Sequence, residues 1–144
     1  MLLETCCLPL LRPDLFVFFS CRTRGGEPLL TDDEIQQAAY QAIGTRTRLL
    51  LCRLLAIEST ETRIFMVFRF PASLSISDLA RGIMQAAEEA ISRLQQILHA
   101  RPQTGQPFWE REYVLETMSA QESTQPVNYL RRRVEAMKIL PSGR

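Results

Sequence analysis

The stretch Thr62 to Phe70, TRIFMVFRF, decides the fold of this chain, because its side chains alternate in character from one position to the next. In a β-strand, successive side chains point to opposite faces of the sheet. One face of this strand receives Ile64, Met66, Phe68 and Phe70. The other face receives Arg63, Phe65, Val67 and Arg69. The first set belongs in a core, and the second set predicts a surface that is only partly shielded from water.

The flanking segments predict an alternation of strands and helices. Further strands are predicted at Leu15 to Arg22, Arg48 to Glu58 and Glu112 to Met118. Helices are predicted from about Asp32 to Gly44 or slightly beyond, after Ser75 as far as His99, and from about Val127 to Lys138. This order indicates an α+β fold with a ferredoxin-like antiparallel sheet, two helices packed on one face and the C-terminal helix on the other.

Length and composition set limits on this reading. The 144 residues, 46% of them hydrophobic, are enough for one ordinary core. We therefore expect a single domain over residues 14–144, preceded by an arm at 1–13 that Pro9 and Pro13 interrupt. No apolar run reaches the ~20 residues of a membrane span, and the first residues lack a basic leader, so a cytoplasmic protein with no membrane partner is expected.

The net charge and the numbers of cysteine and histidine argue against a strongly basic nucleic-acid-binding protein and against a metal-binding protein. The net charge of +1 gives no global field of the kind that attracts nucleic acid, so such a role would depend on the local cluster Arg131 to Arg133. That cluster is equally typical of a solvated helix face. The four cysteines form no Cys-x-x-Cys pair and His99 is the only histidine, so no metal site is expected. Cys21 and Cys52 are expected to act as small hydrophobes inside buried strands.

Five short motifs stand in order along the chain. They are VFFSCRT at Val17 to Thr23 with Gly25, Gly26 and Pro28-Leu29 after it, TETRIFMVF at Thr60 to Phe68, SLS at Ser73 to Ser75, FWEREY at Phe108 to Tyr113 and YLRRRV at Tyr129 to Val134. In this order they resemble the motifs of the single-tyrosine HUH transposases, and especially of the REP-associated tyrosine transposases within the IS200-like superfamily. The resemblance covers nearly the whole chain.

The resemblance implies a mechanism and also marks where this chain departs from it. In the family, two histidines one residue apart on a strand hold a divalent metal that polarises the scissile phosphate, while a tyrosine attacks it. The tyrosine is retained as Tyr129. The histidine positions are filled by Arg63 and Phe65, and the amide that often helps to bind the metal is replaced by Arg133. Guanidinium and phenyl groups offer no lone pair to a metal, so no cofactor is expected, although intact members would hold a divalent cation.

Three functional hypotheses follow. The first is a degenerate, cleavage-defective protein that binds single-stranded or hairpin DNA, and its predicted contact residues are Arg63, Phe65, Arg69, Arg131, Arg132 and Arg133. Its counterpart is a decayed domain in which Arg63 pairs with an acidic neighbour and the last helix covers Phe65. The second is a protein–protein interaction module or homodimer, to which the apolar arm could contribute. The third is a residual tyrosine transposase or nickase that uses Tyr129.

Overall fold

The computed structural model describes residues 15–71, 75–99 and 107–139. Its elements are β1 (Leu15–Thr23), α1 (Asp33–Leu49), β2 (Arg53–Ser59), β3 (Arg63–Phe70), α2 (Ile76–His99), β4 (Trp109–Thr117) and α3 (Pro126–Ile139). This order confirms the predicted α+β fold. The arm predicted at residues 1–13 and part of the Ser73 to Ser75 motif lie outside the described residues.

The four strands form one antiparallel sheet in the order β2-β3-β1-β4. β1 and β3 are central, and their register places Arg22 opposite Arg63 and Ser20 opposite Phe65. β3 has apolar residues on both faces, which suits its place between two neighbouring strands. Paired residues share a face, so this register decides which side chains can meet beneath α3.

Each face of the sheet carries its own apolar cluster. The larger cluster joins one face to α1 and α2 and includes the four β3 residues predicted for the core, Ile64, Met66, Phe68 and Phe70. The smaller cluster joins the opposite face to α3 and consists of Phe18, Phe65, Val67, Met118, Tyr129, Leu130 and Val134. The prediction of two helices on one face and the C-terminal helix on the other is therefore confirmed.

Helix α1 begins where it was predicted but extends further than predicted. Its N-cap is Asp32, whose carboxylate accepts a hydrogen bond from the Glu34 amide at 2.9 Å. The helix does not stop at Gly44. It continues to Leu49 because the buried stripe Ile35, Ala39, Ile43 and Thr47 keeps its four-residue spacing past the glycine.

The turn after α1 shortens the predicted second strand. The amide of Cys52 donates to the Thr47 carbonyl and that of Leu51 to the Arg48 carbonyl, which is the Schellman pattern of a helix end. Leu51 occupies its left-handed position with φ 62° and is 83% exposed. The strand predicted from Arg48 therefore begins at Arg53. Cys52 is buried, as expected, but lies in this turn rather than in a strand.

No helix in the described parts of the chain is long and apolar enough to cross a membrane.

Candidate nucleic-acid interface

Tyr129 lies in the first turns of α3 and points towards the sheet. Pro126 begins the helix, at a position where the missing amide hydrogen is not needed. Tyr129, Leu130 and Val134 then recur at helical spacing and bury one face of α3. The Tyr129 side chain is only 7% exposed, and its ring meets Phe18 edge-on with 6.0 Å between centroids.

The hydroxyl of Tyr129 is tied into a network with Arg133 and Glu116. Arg133 Nη1 donates to the Tyr129 hydroxyl oxygen at 3.0 Å, one helical turn away. The same guanidinium donates to both carboxylate oxygens of Glu116 on β4, at 2.7 and 3.2 Å. Its central carbon also lies 4.1 Å from the centroid of the Phe18 ring, a cation–π distance. Arg133 therefore joins α3 to β1 and β4.

The network shifts the pKa values of both charged partners. The hydrogen bond from Arg133 lowers the pKa of Glu116 below its ordinary value, against a smaller opposing effect of desolvation. The hydrogen bond to Glu116 raises the pKa of Arg133 in turn. Both groups are thus held in their charged forms, and Arg133 already has a carboxylate partner before any ligand arrives.

Glu116 and Phe18 were not among the residues predicted for the site. In the sequence, Glu116 is only a charged residue at an alternating position of β4, which is ordinary for a surface strand and does not indicate a site. Its pairing with Phe18 across β1 and β4 brings it under Arg133. The sequence alone does not fix that register.

Phe65 is buried beneath α3. Its side chain is 1% exposed and its ring lies 6.3 Å from that of Phe18. The prediction that the face containing Phe65 and Val67 is only partly dry is wrong at these two positions, because α3 covers both. The ring has no face open to a base, so we remove Phe65 from the set expected to contact DNA. This burial matches the alternative in which the last helix covers it.

Arg63 lies at the other end of the same face, beyond Phe65. It pairs across the sheet with Arg22, and Arg22 Nη1 lies 3.5 Å from a carboxylate oxygen of Glu110 on β4. The pKa of Arg63 is lowered first by desolvation and then by the charge of Arg22, while Glu110 opposes the shift. Neither Arg22 nor Glu110 was predicted as a site residue. Alternation along β1 does put Arg22 on the same face as Ser20 and Phe18, so its position on this face could have been inferred.

The other predicted cations lie elsewhere. Arg69 is exposed six residues further along β3, about 20 Å from Arg63 at the rise of a strand. Arg131 and Arg132 are exposed on α3, and the helix face that meets the sheet is that of Tyr129 and Leu130. The structure therefore brings Tyr129, Phe65 and Arg133 into one cluster. Arg63, Arg69 and the pair Arg131-Arg132 occupy three separate places.

The side chains at the two positions that the resemblance assigns to the histidines do not fit a divalent cation. Arg63 is cationic, Phe65 has no donor atom, and the neighbouring carboxylates Glu110 and Glu116 are engaged by arginines. Among the residues that the structure describes, no group of three or more His, Cys, Asp or Glu side chains could hold a metal ion.

Comparisons with known proteins bear on the family and the fold of this chain. The chain matches the family profile described as transposase IS200 like over residues 17–133. None of the curated proteins compared with it matches the chain.

Two solved structures share the fold. One is a Deinococcus radiodurans R1 protein assigned as a transposase, with a TM-score of 0.65 and 16% identity over 85% of this chain and 90% of that one. The other is a REP-associated tyrosine transposase bound to a REP hairpin, with a TM-score of 0.62 and 15% identity over 88% of this chain and 70% of that one. On the extent of the profile match, this chain belongs to the IS200-like transposase family.

Proposed function

We propose that this protein is a degenerate member of its family that binds single-stranded or hairpin DNA without metal-dependent strand transfer. The observation that carries the proposal is the cluster at the expected catalytic position. There the Phe65 ring is buried under α3 against Phe18, and the Tyr129 hydroxyl accepts a hydrogen bond from an arginine that Glu116 already binds. Packing and an ion pair occupy the place where the family's chemistry needs an open metal site.

The chemistry supports loss of cleavage. A neutral phenol is a weak nucleophile and needs an adjacent base or a Lewis acid that polarises the phosphate. Tyr129 has an arginine beside its oxygen, which can stabilise an anion but cannot accept the phenol proton. Arg63 and Phe65, at the positions that the resemblance assigns to the histidines, supply no metal ligand, and the nearby Glu116 carboxylate is bound by Arg133.

Membership of the family supports DNA as the partner. The REP-associated transposase that shares this fold is bound to a hairpin, and fold similarity makes the same class of ligand the natural candidate here. Arg131 and Arg132 are exposed on α3, and Arg63 remains partly exposed on the sheet. These cations suit a phosphate backbone, whose contacts need no particular base sequence.

A labelled hairpin oligonucleotide with single-stranded flanks tests binding. Its affinity, measured by fluorescence anisotropy between 50 and about 200 mM salt, is expected to fall by about a factor of ten or more, because each phosphate contact releases counterions. Binding that persists in a metal chelator is part of the same expectation. Absence of binding at low salt would overturn the proposal.

Cleavage is tested separately with the same oligonucleotide. We expect no covalent protein–DNA adduct on a denaturing gel, with or without Mg²⁺ or Mn²⁺. The matched control is Tyr129→Phe, which keeps the ring in its cluster and removes only the hydroxyl. A metal-dependent adduct that disappears in Tyr129→Phe would instead establish a residual tyrosine transposase or nickase.

A homodimer is the competing proposal, and β4 is the feature that favours it. β4 is an edge strand of the sheet, and Tyr113 and Val114 are exposed on it. The strand also carries Glu110, Arg111, Glu112 and Glu116, and charged side chains disfavour edge-to-edge pairing. We therefore retain the DNA-binding proposal, and sedimentation of the protein alone would detect a dimer.

A further inference from the structure

We propose that Arg22 and Arg63 form a metal-independent binding site for a phosphodiester group of DNA, with the Ser20 hydroxyl at its inner end. The inference rests on the proposed DNA-binding function and names the place where the backbone is gripped. Arg22 and Arg63 are direct partners across β1 and β3, so their side chains leave the same face of the sheet. They stand beyond the end of the cluster that α3 covers.

Like charges placed directly opposite each other destabilise a sheet unless something compensates them. Glu110 forms an ion pair with Arg22, at 3.5 Å from its Nη1, and the charge of Glu110 also favours the cationic form of Arg63. Two guanidinium groups beside one carboxylate leave an excess positive charge. Burial and the charge of Arg22 lower the pKa of Arg63, and a further anion bound beside the pair would favour its cationic form.

The turn after β1 fixes the direction of Arg22. Gly25 and Gly26 both have positive φ, and a Cβ added at Gly26 would overlap the Arg22 guanidinium. The Arg22 side chain therefore lies against the bare backbone of Gly26 while Glu110 holds it from β4. Arg22 is positioned in advance by these contacts, and less side-chain entropy is lost when it binds an anion.

Ser20 supplies the second, independent observation. Its side chain is 2% exposed, and its Oγ has no hydrogen-bond partner among the residues that the structure describes. It lies on the face of Phe65 and Val114, two residues before Arg22 on the same strand. A buried hydroxyl without a partner costs about 1–3 kcal/mol, so its presence here indicates an acceptor that binds at this place.

A phosphodiester meets the requirements of all three groups. Its two non-bridging oxygens accept paired hydrogen bonds from guanidinium groups, and one of them can also accept from a hydroxyl. The Ser20 hydroxyl is covered in this structure, so a phosphate oxygen reaches it only when a covering side chain on this face changes rotamer. The site needs no metal, because guanidinium groups replace the cation's charge.

The test compares Arg63→Met and Arg22→Met with the wild type in the hairpin-binding assay. Each is expected to weaken binding about tenfold and to reduce the slope of log affinity against log salt by about one. Arg81→Met is the matched control, because Arg81 is largely exposed on α2, on the opposite side of the sheet. If the wild type binds and both variants bind like the control, the site is refuted while the proposed function stands. If the wild type does not bind, the proposed function itself fails.

Two further variants separate binding from folding. Ser20→Ala is expected to raise the melting temperature, since it removes an unsatisfied hydroxyl, and still to weaken binding several-fold. Glu110→Gln is expected to tighten binding several-fold, because it leaves Arg22 without its competing carboxylate. Unchanged affinity in Ser20→Ala would remove the hydroxyl from the site. Weaker binding by Glu110→Gln, with an unchanged melting temperature, would overturn the charge argument.

Discussion

Replacement of Arg133 by methionine should lower the free energy of unfolding, because the Arg133 guanidinium makes three kinds of contact that join α3 to the sheet. The hydrogen bond to the Tyr129 hydroxyl is worth about 1 kcal/mol. The ion pair with Glu116 contributes less than about 1 kcal/mol, since the two side chains are 31% and 48% exposed and solvent screens them. The cation–π contact with Phe18 adds about 0.5–1 kcal/mol.

The contacts share one side chain and methionine keeps the apolar stem, so we expect a loss of about 2 kcal/mol rather than the full sum. Urea denaturation followed by circular dichroism measures the free energy of unfolding. Arg132→Met is the matched control, because Arg132 is exposed on the same helix and loses the same charge. A difference between the two variants below about 0.5 kcal/mol would refute the role given to Arg133.

The same pair predicts a pH dependence. The pKa of Glu116 is lowered below its ordinary value of 4.5, chiefly by the hydrogen bond from Arg133. A depressed carboxylate pKa stabilises the folded state above the ordinary value, and this contribution is lost as the pH falls through the folded one. The gap between wild type and Arg133→Met should therefore narrow between pH 7 and pH 3. A gap of constant size would show that the ion pair contributes nothing.

Three other perturbations follow from the structure. Leu51→Gly should raise the free energy of unfolding by roughly 0.5–1 kcal/mol in urea denaturation, because the left-handed position favours glycine, and Leu49→Gly, inside the helix, should lower it. Gly26→Ala should lower the melting temperature and weaken hairpin binding by displacing Arg22, whereas Gly44→Ala, whose added Cβ would lie at an ordinary contact distance of 3.9 Å from the Arg48 guanidinium, should be neutral or stabilising. At pH 8, alkylation of the native protein followed by peptide mass spectrometry should show that the Cys52 thiol reacts slowly and the Cys21 thiol more slowly still. Burial raises the pKa of Cys52 to about 11 and that of Cys21 further, so little of either thiol is ionised. Rapid labelling of Cys21 would contradict its burial.

The sequence was most informative where one local pattern had a single solution. The alternation over β3 predicted its core residues correctly. The helical periodicity of the apolar residues after Ser75 was likewise sufficient to predict α2. The end of α1 was not predictable from Gly44, because a glycine is tolerated inside a helix when the buried stripe continues to Thr47. The turn at Leu51 carries no glycine to mark it.

The site was predicted less well, because it depends on contacts between distant parts of the chain. Phe65 was predicted to lie on a surface only partly shielded from water, because nothing in β3 itself shows that α3 lies over it. Arg133 was predicted to contact DNA, although Glu116, seventeen residues earlier, already binds its guanidinium. Arg22 became a candidate only when the register placed it opposite Arg63.

The burial of Phe65 also restricts how this protein can evolve. A histidine at that position would leave a polar ring in a desolvated, partly filled space and would cost about 1–3 kcal/mol, out of the 5–15 kcal/mol typical of a folded domain. No metal site would result until positions 63 and 133 had changed as well, so the first step brings a loss of stability and no gain. Selection for a stable fold alone is therefore enough to keep position 65 apolar, and the packing beneath α3 disfavours the substitutions that a metal site would need.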